Sequence, residues 1–512
     1  MFIWGNARGT ALRVLISIAS SSAFLLFGYD QGVFAGLIGG DGFKNTFNNP
    51  DTTTIGTVTA IYEIGCFFGA IFSFWAGNRL GRKNSIWLGL FIMMVGTVLQ
   101  TSAYTLGHMI VGRIVTGVGN GINTSTVPMY QAETTKARSR GRMISIEGWF
   151  ITIGIVISYW ITYATSKHTN PDIQFRTPIV LQAVFGLVTM VMLIGLPESP
   201  RFLMAKDRRE EALEVLACLD DEPIDSPNVQ RQFKSISDAL ATEANSTSGG
   251  KIQFKDYFAG GKKQTFRRLC LAYGIQMMQQ LTGINAVIFY SAYLLQNVLN
   301  IERELSLIIG GCTGLTFFVF TFIPILFIDS WGRRKPLIYG AAGQSVCMMF
   351  IAVLVKLSAV DGNDAAGVAA VIFVIVYIAT YSGFAWVATP WLYPTEISEL
   401  KFRSQATALA TSANWLWNFV VVKITPLGVE NLGWKFFLIW MCFNGAFVPI
   451  IYFLYPETAG KTLEELDSLF YNTTKAWQIT EKGSRLGMEG EAPGPGSVTD
   501  EEDVKESIQM RE

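Results

Sequence analysis

The chain has 512 residues, 40 Lys and Arg against 40 Asp and Glu, half of its residues hydrophobic and only 16% charged, with 36 Phe and 49 Gly. So apolar a composition at this length excludes an ordinary soluble protein and puts the chain in a lipid bilayer. The zero formal net charge by itself says nothing about nucleic acid or acidic partners, and no nucleic-acid partner is expected; the six cysteines are scattered, mostly in apolar runs, so neither a disulfide frame nor a metal site is expected, and no cofactor.

Crossing about 30 Å of hydrocarbon takes about 20 helical residues, and twelve apolar runs reach that length. Six lie at about 12–38, 55–77, 85–105, 108–131, 143–166 and 178–196, and six more at about 268–297, 306–328, 336–358, 366–392, 403–426 and 434–455. The first is longer than a signal-peptide core, contains Asp30 and has no small-residue cleavage pattern after it, so it is expected to stay as a membrane helix. Residues 197–267 separate the two sets. Leu213, Leu216 and Leu219 have helical spacing there and predict short amphipathic helices, while the Ser/Gly patch at 245–250 predicts a flexible connector. The expected organisation is a bundle at 1–196, a linker at 197–267, a second bundle at 268–455 and a tail at 456–512 whose Gly-, Pro- and acid-rich end is disordered.

Short polar signatures occur in both sets. Asn78-Arg79-Leu80-Gly81-Arg82-Lys83 returns as Asp329-Ser330-Trp331-Gly332-Arg333-Arg334, Glu133 with Arg140 returns as Glu396 with Arg403, and Pro197-Glu198-Ser199 returns as Pro456-Glu457-Thr458. The offsets are 251 (Gly81 to Gly332), 263 (Glu133 to Glu396) and 259 (Glu198 to Glu457), so three unrelated motifs keep their order and spacing. That is a duplication, and a duplicated membrane domain is expected to hold its working site between the halves.

The cations set the orientation. Arg8, Arg13, the 79–83 block, Lys136, Arg138, Arg140, Arg142, the linker, the 333–335 block, Lys401 and Arg403 fall on one side, whereas Lys44, Lys167, Arg176 and Arg303 stand singly on the other. The positive-inside rule then puts both termini and the linker in the cytoplasm. Asn-X-Ser/Thr matches at Asn123, Asn245 and Asn472 fall in a span or on that cytoplasmic side and predict no glycosylation.

At the cytoplasmic ends, Arg79, Arg82, Glu133 and Arg140, with Arg333, Arg334, Glu396 and Arg403, can bridge helices while that side is closed, biasing a two-state equilibrium by a few kcal/mol. The alternative, that they only fix topology, accounts for cations but requires no carboxylates; Lys136 and Arg138 are read that way. Within the first span, a carboxylate in hydrocarbon is costly unless paired, so Asp30 needs a cation. No nucleophile, metal or phosphate-loop constellation points to an enzyme, and the only histidines are His108 and His168. Gly117-Val118-Gly119-Asn120-Gly121 lies inside an apolar run and is read as close helix packing.

The motifs taken together resemble a known family. Residues 77–83, Gly112-Arg113, Pro128-Met129-Tyr130 through Glu133 to Arg140-Gly141, Pro197-Glu198-Ser199-Pro200-Arg201, the 279–285 segment Gln-Gln-Leu-Thr-Gly-Ile-Asn, Trp391 with Tyr393-Pro394-Thr395-Glu396, and Pro456-Glu457-Thr458-Ala459-Gly460 resemble the sugar porter family of the major facilitator superfamily over about residues 12–470. Phe27-Gly28-Tyr29-Asp30-Gln31-Gly32, the 61–68 segment and Ile146-Glu147-Gly148-Trp149 are similar to its fungal branch, which contains glycerol-proton symporters and hexose carriers. The resemblance implies an all-α membrane protein: twelve transmembrane helices in two six-helix bundles, the major facilitator fold, with short cytoplasmic helices. It implies a monomeric secondary active transporter, multi-pass in the plasma membrane, that imports a sugar (hexose or pentose) or polyol with a proton by alternating access. Two alternatives stay open, a facilitative uniporter and a transporter-like nutrient sensor. The short tail argues against the sensor, which in this family carries a much longer extension.

The resemblance also assigns roles. Arg113 is the partner of Asp30 by family position, and in proton-coupled relatives the matching acid carries the proton; a permanent structural ion pair is the other reading. Polyols need groups that donate and accept together with flat apolar faces, which amides and aromatics provide. Gln279, Gln280 and Asn285 fit the family's amide positions, and Gly283 lets their helix bend. Tyr290 fits the gating aromatic, with Phe289 where many relatives have a second tyrosine; Trp391 supplies a stacking face and Asn414 a further amide. The competing reading is that these amides bond between helices and the aromatics fill the bundle. Two departures leave a glucose preference unsupported: Gly148 stands where many sugar porters have a fifth-span glutamine, and Val387-Ala388 replace a Gly-Pro before Trp391. Glu147 and Glu63 are each read as either a hydroxyl acceptor or second proton site, or an interhelical bond.

Overall fold

The computed structural model describes residues 7–135, 140–248, 264–299, 301–398 and 403–459, with 466 and 470. Every regular element in them is a helix: α1 (Gly9–Leu37), α2 (Asp41–Thr46), α3 (Thr52–Leu80), α4 (Arg82–Thr101), α5 (Leu106–Thr134), α6 (Arg140–Ser166), α7 (Pro171–Leu193), α8 (Pro200–Ala205), α9 (Arg209–Asp220), α10 (Pro227–Ser248), α11 (Thr265–Leu281), α12 (Ile284–Val298), α13 (Arg303–Trp331), α14 (Arg334–Ala359), α15 (Asp364–Gly383), α16 (Thr389–Ile397), α17 (Arg403–Leu432) and α18 (Lys435–Leu454). A helix bonds its own backbone groups, which is what hydrocarbon demands of a spanning segment. The fold is the twelve-helix, two-bundle arrangement: α1 and α3–α7 form one half, and α11 to α18 the other, with α11–α12 and α15–α16 each making one broken span.

Among the described residues, nine helices are long and apolar enough to cross a membrane. The remaining spans are α5, the broken α11–α12 and α17, and they carry Arg113, Gln279 to Asn285 and Asn414. Hydropathy therefore falls where the chain has placed its polar groups inside the bundle.

Two spans expected as single runs are interrupted. The seventh breaks at Thr282 and Gly283, where Gly283 has φ +88° and a Cβ on it would lie 2.8 Å from Trp440 Cγ, so only glycine fits. The tenth breaks over 384–388, with Ala385 at φ +63°, and resumes as α16 at Thr389, helped by Pro390 in its first turn; it runs to Ile397, beyond the expected end at 392. The linker forms α8, α9 and α10, and α10 continues to Ser248, so the start of the patch expected as connector is helical. The rest of that connector, Lys136, Arg138, Lys401 and the tail after 470 lie outside the described residues.

Glycines set how closely helices of one half meet. A Cβ on Gly117 or Gly121 of α5 would come within 2.2 or 2.1 Å of the Tyr62 or Cys66 carbonyl oxygen of α3. The glycine-rich run is thus a packing surface, as small residues are between membrane helices. Between halves, α3 packs along α17 and α6 along α13, and the contact continues through Trp149, which stacks on Phe318 at 5.0 Å and donates Nε1–H to its carbonyl at 3.0 Å.

Candidate functional site

Asp30 and Arg113 meet in the middle of the first half, both fully buried. Arg113 Nη1 donates to Asp30 Oδ2 at 3.1 Å, while Nε and Nη2 donate to the carbonyls of Val58 and Thr59 at 3.4 and 3.1 Å. The guanidinium is also sandwiched between the rings of Phe34, 4.0 Å away, and Tyr62, 4.4 Å away. The arginine is therefore bound to α3 independently of the acid. Neutralising Asp30 would remove one tie between α1 and α5, while the two carbonyls and two rings would still hold the cation in place.

A set of amides lies across the boundary of α11, α12, α16 and α17. Gln279 Nε2 donates to the Trp386 carbonyl at 2.8 Å, and its Oε1 accepts from Asn414 Nδ2 at 2.8 Å. Asn414 Nδ2 also donates to Gln276 Oε1 at 2.6 Å. Asn285 Nδ2 donates to Gln280 Oε1 at 2.6 Å and to Asn418 Oδ1 at 2.7 Å. Thus Gln279, Gln280, Asn285 and Asn414 come together, and all four are buried. Two partners were not singled out in the sequence, Gln276 and Asn418. Each is four residues from a chosen amide, Gln280 and Asn414 respectively, hence on the same helical face, and that spacing was the available signal.

Tyr290 is fully buried next to this set and donates its OH to the Val422 carbonyl at 3.0 Å. Its φ of −122° and ψ of 16° put a second irregularity inside α12. Trp391 is half-buried in the first turn of α16 and takes no part in the amide network. Gly148 offers no amide from α6, and a Cβ there would meet only Val387 Cγ1 at 3.4 Å. Glu63 and Glu147 are fully buried or nearly so, and none of their carboxyl oxygens has a hydrogen-bond partner.

At the basic end the duplication is visible as matched geometry. Glu133 of α5 receives Arg82 of α4 through two bonds, Nη2 to Oε1 at 2.8 Å and Nε to Oε2 at 2.9 Å, and also accepts from the Ser199 hydroxyl. In the second half Glu396 accepts from Arg333 at 3.0 Å and from the Thr458 hydroxyl at 2.5 Å. Glu198 accepts from the backbone N–H groups of Arg82 and Lys83, and Glu457 from those of Arg333 and Arg334, so each repeated acid caps the first turn of the helix it faces. These bridges join helices of the same half. Arg334 is engaged elsewhere, donating to the Tyr452 carbonyl at 2.5 Å, and Arg79 is exposed. Arg140 and Arg403 open α6 and α17, and their side chains lie outside the described residues.

At the opposite end the two halves are tied to each other. Lys423 of α17 donates to the Thr53 carbonyl at 3.1 Å and to the Thr57 hydroxyl, Lys167 pairs with Glu304, and Arg303 lies 3.8 Å from Asp41.

Comparison with known proteins agrees with this arrangement. The family model described as "Sugar (and other) transporter" matches residues 15–470. A sugar transporter of Saccharomyces cerevisiae is 38% identical over 519 residues, covering 97% of this chain and 89% of its own length. An MFS-type transporter of Aspergillus oryzae is 38% identical over 478 residues, covering 92% and 88%. Among solved structures, the proton:xylose symporter XylE bound to 6-bromo-6-deoxy-D-glucose superposes with a TM-score of 0.76 at 22% identity, covering 90% of this chain and all of the other. A partially occluded inward-open form of XylE from E. coli gives 0.73 at 22%, covering 88% of this chain and all of the other. At that identity the likeness is one of fold.

Proposed function

The chain belongs to the sugar transporter family, and from that premise we propose that it is a secondary active transporter importing a sugar or polyol together with a proton across the plasma membrane. The distribution of Lys and Arg supports a cytoplasmic position for both termini and the linker. The observation that carries the coupled reading is the construction of the Asp30–Arg113 pair: the arginine has two further hydrogen bonds to α3 carbonyls and lies between two aromatic rings, so the acid can take a proton and let go without expelling the cation. A proton on Asp30 removes the charge that holds α1 to α5 and α3. Substrate bound between the halves by Gln279, Gln280, Asn285 and Asn414, with Trp391 and Tyr290 as aromatic walls, then favours the state in which both halves reach it. Opening to the cytoplasm parts the halves at the basic end, where Arg79, Arg82, Glu133 and Arg140 of the first half and Arg333, Arg334, Glu396 and Arg403 of the second shape the helix ends that form the gate.

The same contacts favour a second reading, facilitated diffusion with a permanent pair, because so well-housed an arginine also makes a stable structural element. The experiment that separates them is uptake by transporter-deficient cells of glucose, xylose, glycerol and a disaccharide, with external pH recorded. Symport predicts alkalinisation of the medium during uptake, and Asp30→Asn should abolish accumulation against a gradient while leaving downhill exchange. Uptake without alkalinisation, or undiminished accumulation by the variant, establishes the facilitative reading instead.

A further inference from the structure

We propose that Glu63 is the first half's contact to the substrate, receiving one hydroxyl of the transported sugar or polyol between its carboxylate and the NH2 of Asn418. This rests on the transport function proposed above and deepens it. Glu63 lies on α3 and Asn418 on α17, the helices that pack along one another between the halves, and they are 0% and 1% exposed. Arg113 and Asp30 are the charges nearest the Glu63 carboxyl and Asn418 is its hydrogen-bonding neighbour, yet neither Glu63 oxygen nor Asn418 Nδ2 makes a hydrogen bond of ordinary geometry. Buried polar groups left in this way are rare and costly, and here an acceptor and a donor are left together. A hydroxyl is the group that resolves both at once, since it donates to the carboxylate and accepts from the amide.

The neighbourhood specifies the direction. Asn418 Oδ1 is held by Asn285 Nδ2 at 2.7 Å and Asn285 in turn holds Gln280 Oε1 at 2.6 Å, so the free NH2 of Asn418 is the end of an amide chain that begins in the substrate amides of the second half. Glu147 makes the contrast. It is as deeply buried and its oxygens are equally unpartnered, but burial alone describes its surroundings, with no donor opposite. Gly148 supplies no side chain from α6, and Glu63 is an acceptor that α3 brings to α17 instead. Because the pair spans the two halves, its occupant also helps draw them together, which ties recognition of that hydroxyl to closure.

The test uses the full chain in transporter-deficient cells, comparing wild type with Glu63→Gln, Asn418→Ala and the double variant at measured surface amounts, with glucose, xylose and glycerol as probes. For a compound the wild type takes up, each single variant should raise the half-saturation concentration about tenfold and leave the maximal rate within about twofold; the double variant should be no worse than the worse single. Among the monodeoxy analogues of that compound, one should be taken up equally by wild type and Glu63→Gln, which a merely structural role would not produce. If Glu63→Gln does not reach the membrane, Asn418→Ala must show the same loss and the same analogue. An unchanged half-saturation concentration, or unaltered discrimination against every analogue, overturns the proposal while leaving the transport function intact. So does a Glu63→Gln protein that no longer transports but is still stabilised against thermal unfolding by the substrate as the wild type is. Wild-type cells that take up none of the three overturn the transport reading itself.

Discussion

Arg113 shows how much one side chain in hydrocarbon must satisfy. Its fork bonds Asp30 and two α3 carbonyls while its plane lies between two rings, and a lysine, a point charge with three mobile donors, reproduces none of that geometry. Arg113→Lys should therefore lose about 1–3 kcal/mol of stability, read as a lowered Tm of the purified protein, and most of its uptake, although the charge is conserved. An undiminished Tm would mean that the carbonyl and ring contacts contribute little. Gly148 offers the opposite experiment. Since a Cβ there meets only Val387 Cγ1 at 3.4 Å, Gly148→Gln can restore the missing amide, and it should lower the half-saturation concentration for a hexose about two- to tenfold, the worth of one neutral hydrogen bond. Unchanged hexose uptake at equal surface amounts would count against that position facing the substrate. That Asp30 needs a cation was legible in the sequence, because a charge in an apolar run needs a partner; that the partner is Arg113 came from family position. Asn418 was passed over in favour of Asn414: both lie on one face of α17, and which buried amide ends a chain depends on the helix it meets, which no single run of sequence states.

For whole elements, hydropathy located the spans and largely missed their breaks. The break after α11 was legible because Gly283 sits among polar residues, whereas the one before α16 lies in a continuous apolar run whose signals, Gly383 and Pro390, stand seven residues apart. Both breaks matter for the site. The first turns Gln279 and Gln280 on α11 and Asn285 on α12 towards α17, and the second bares the Trp386 and Val387 carbonyls that orient Gln279. Gly283→Ala puts a side chain at φ +88° and 2.8 Å from Trp440 Cγ, so it should cost at least the 1–2 kcal/mol of a left-handed residue and abolish uptake by turning the amides out of register. Gly148→Ala, whose Cβ has ordinary contacts, is the control and should leave Tm within a degree or two. Comparable losses in both variants would show that the sensitivity is to any added methyl group and not to the break.

Across the whole molecule, the repeats hold each half together at the basic end and the unrepeated residues join the halves. Glu133 with Arg82 and Glu396 with Arg333 are bonds within a half, and the ties between halves on the opposite side, Lys423 to Thr53 and Thr57, have no counterpart in the duplication. A two-state carrier requires the two ends to respond oppositely, because loosening one end lowers the free energy of the state in which the other is shut. A reporter is available at the basic end: Ile144 of α6 packs across the boundary on Ile328, Ala385, Ala388 and Leu392. With Ile144→Cys in place, labelling by a thiol reagent applied from the cytoplasmic side should fall about two- to fivefold on adding Lys423→Ala, the effect of losing about 0.5–1 kcal/mol of hydrogen bonding from a half-exposed lysine to Thr53 and Thr57. On adding Glu133→Gln and Glu396→Gln it should rise, if those bonds shape the helix ends that close the gate. The signs carry the test more than the sizes. Labelling that rises in both cases would mean that the substitutions merely loosen the protein; labelling that falls with Lys423→Ala but ignores the glutamines would leave the repeated acids as builders of each half, and the gate to the contacts between them.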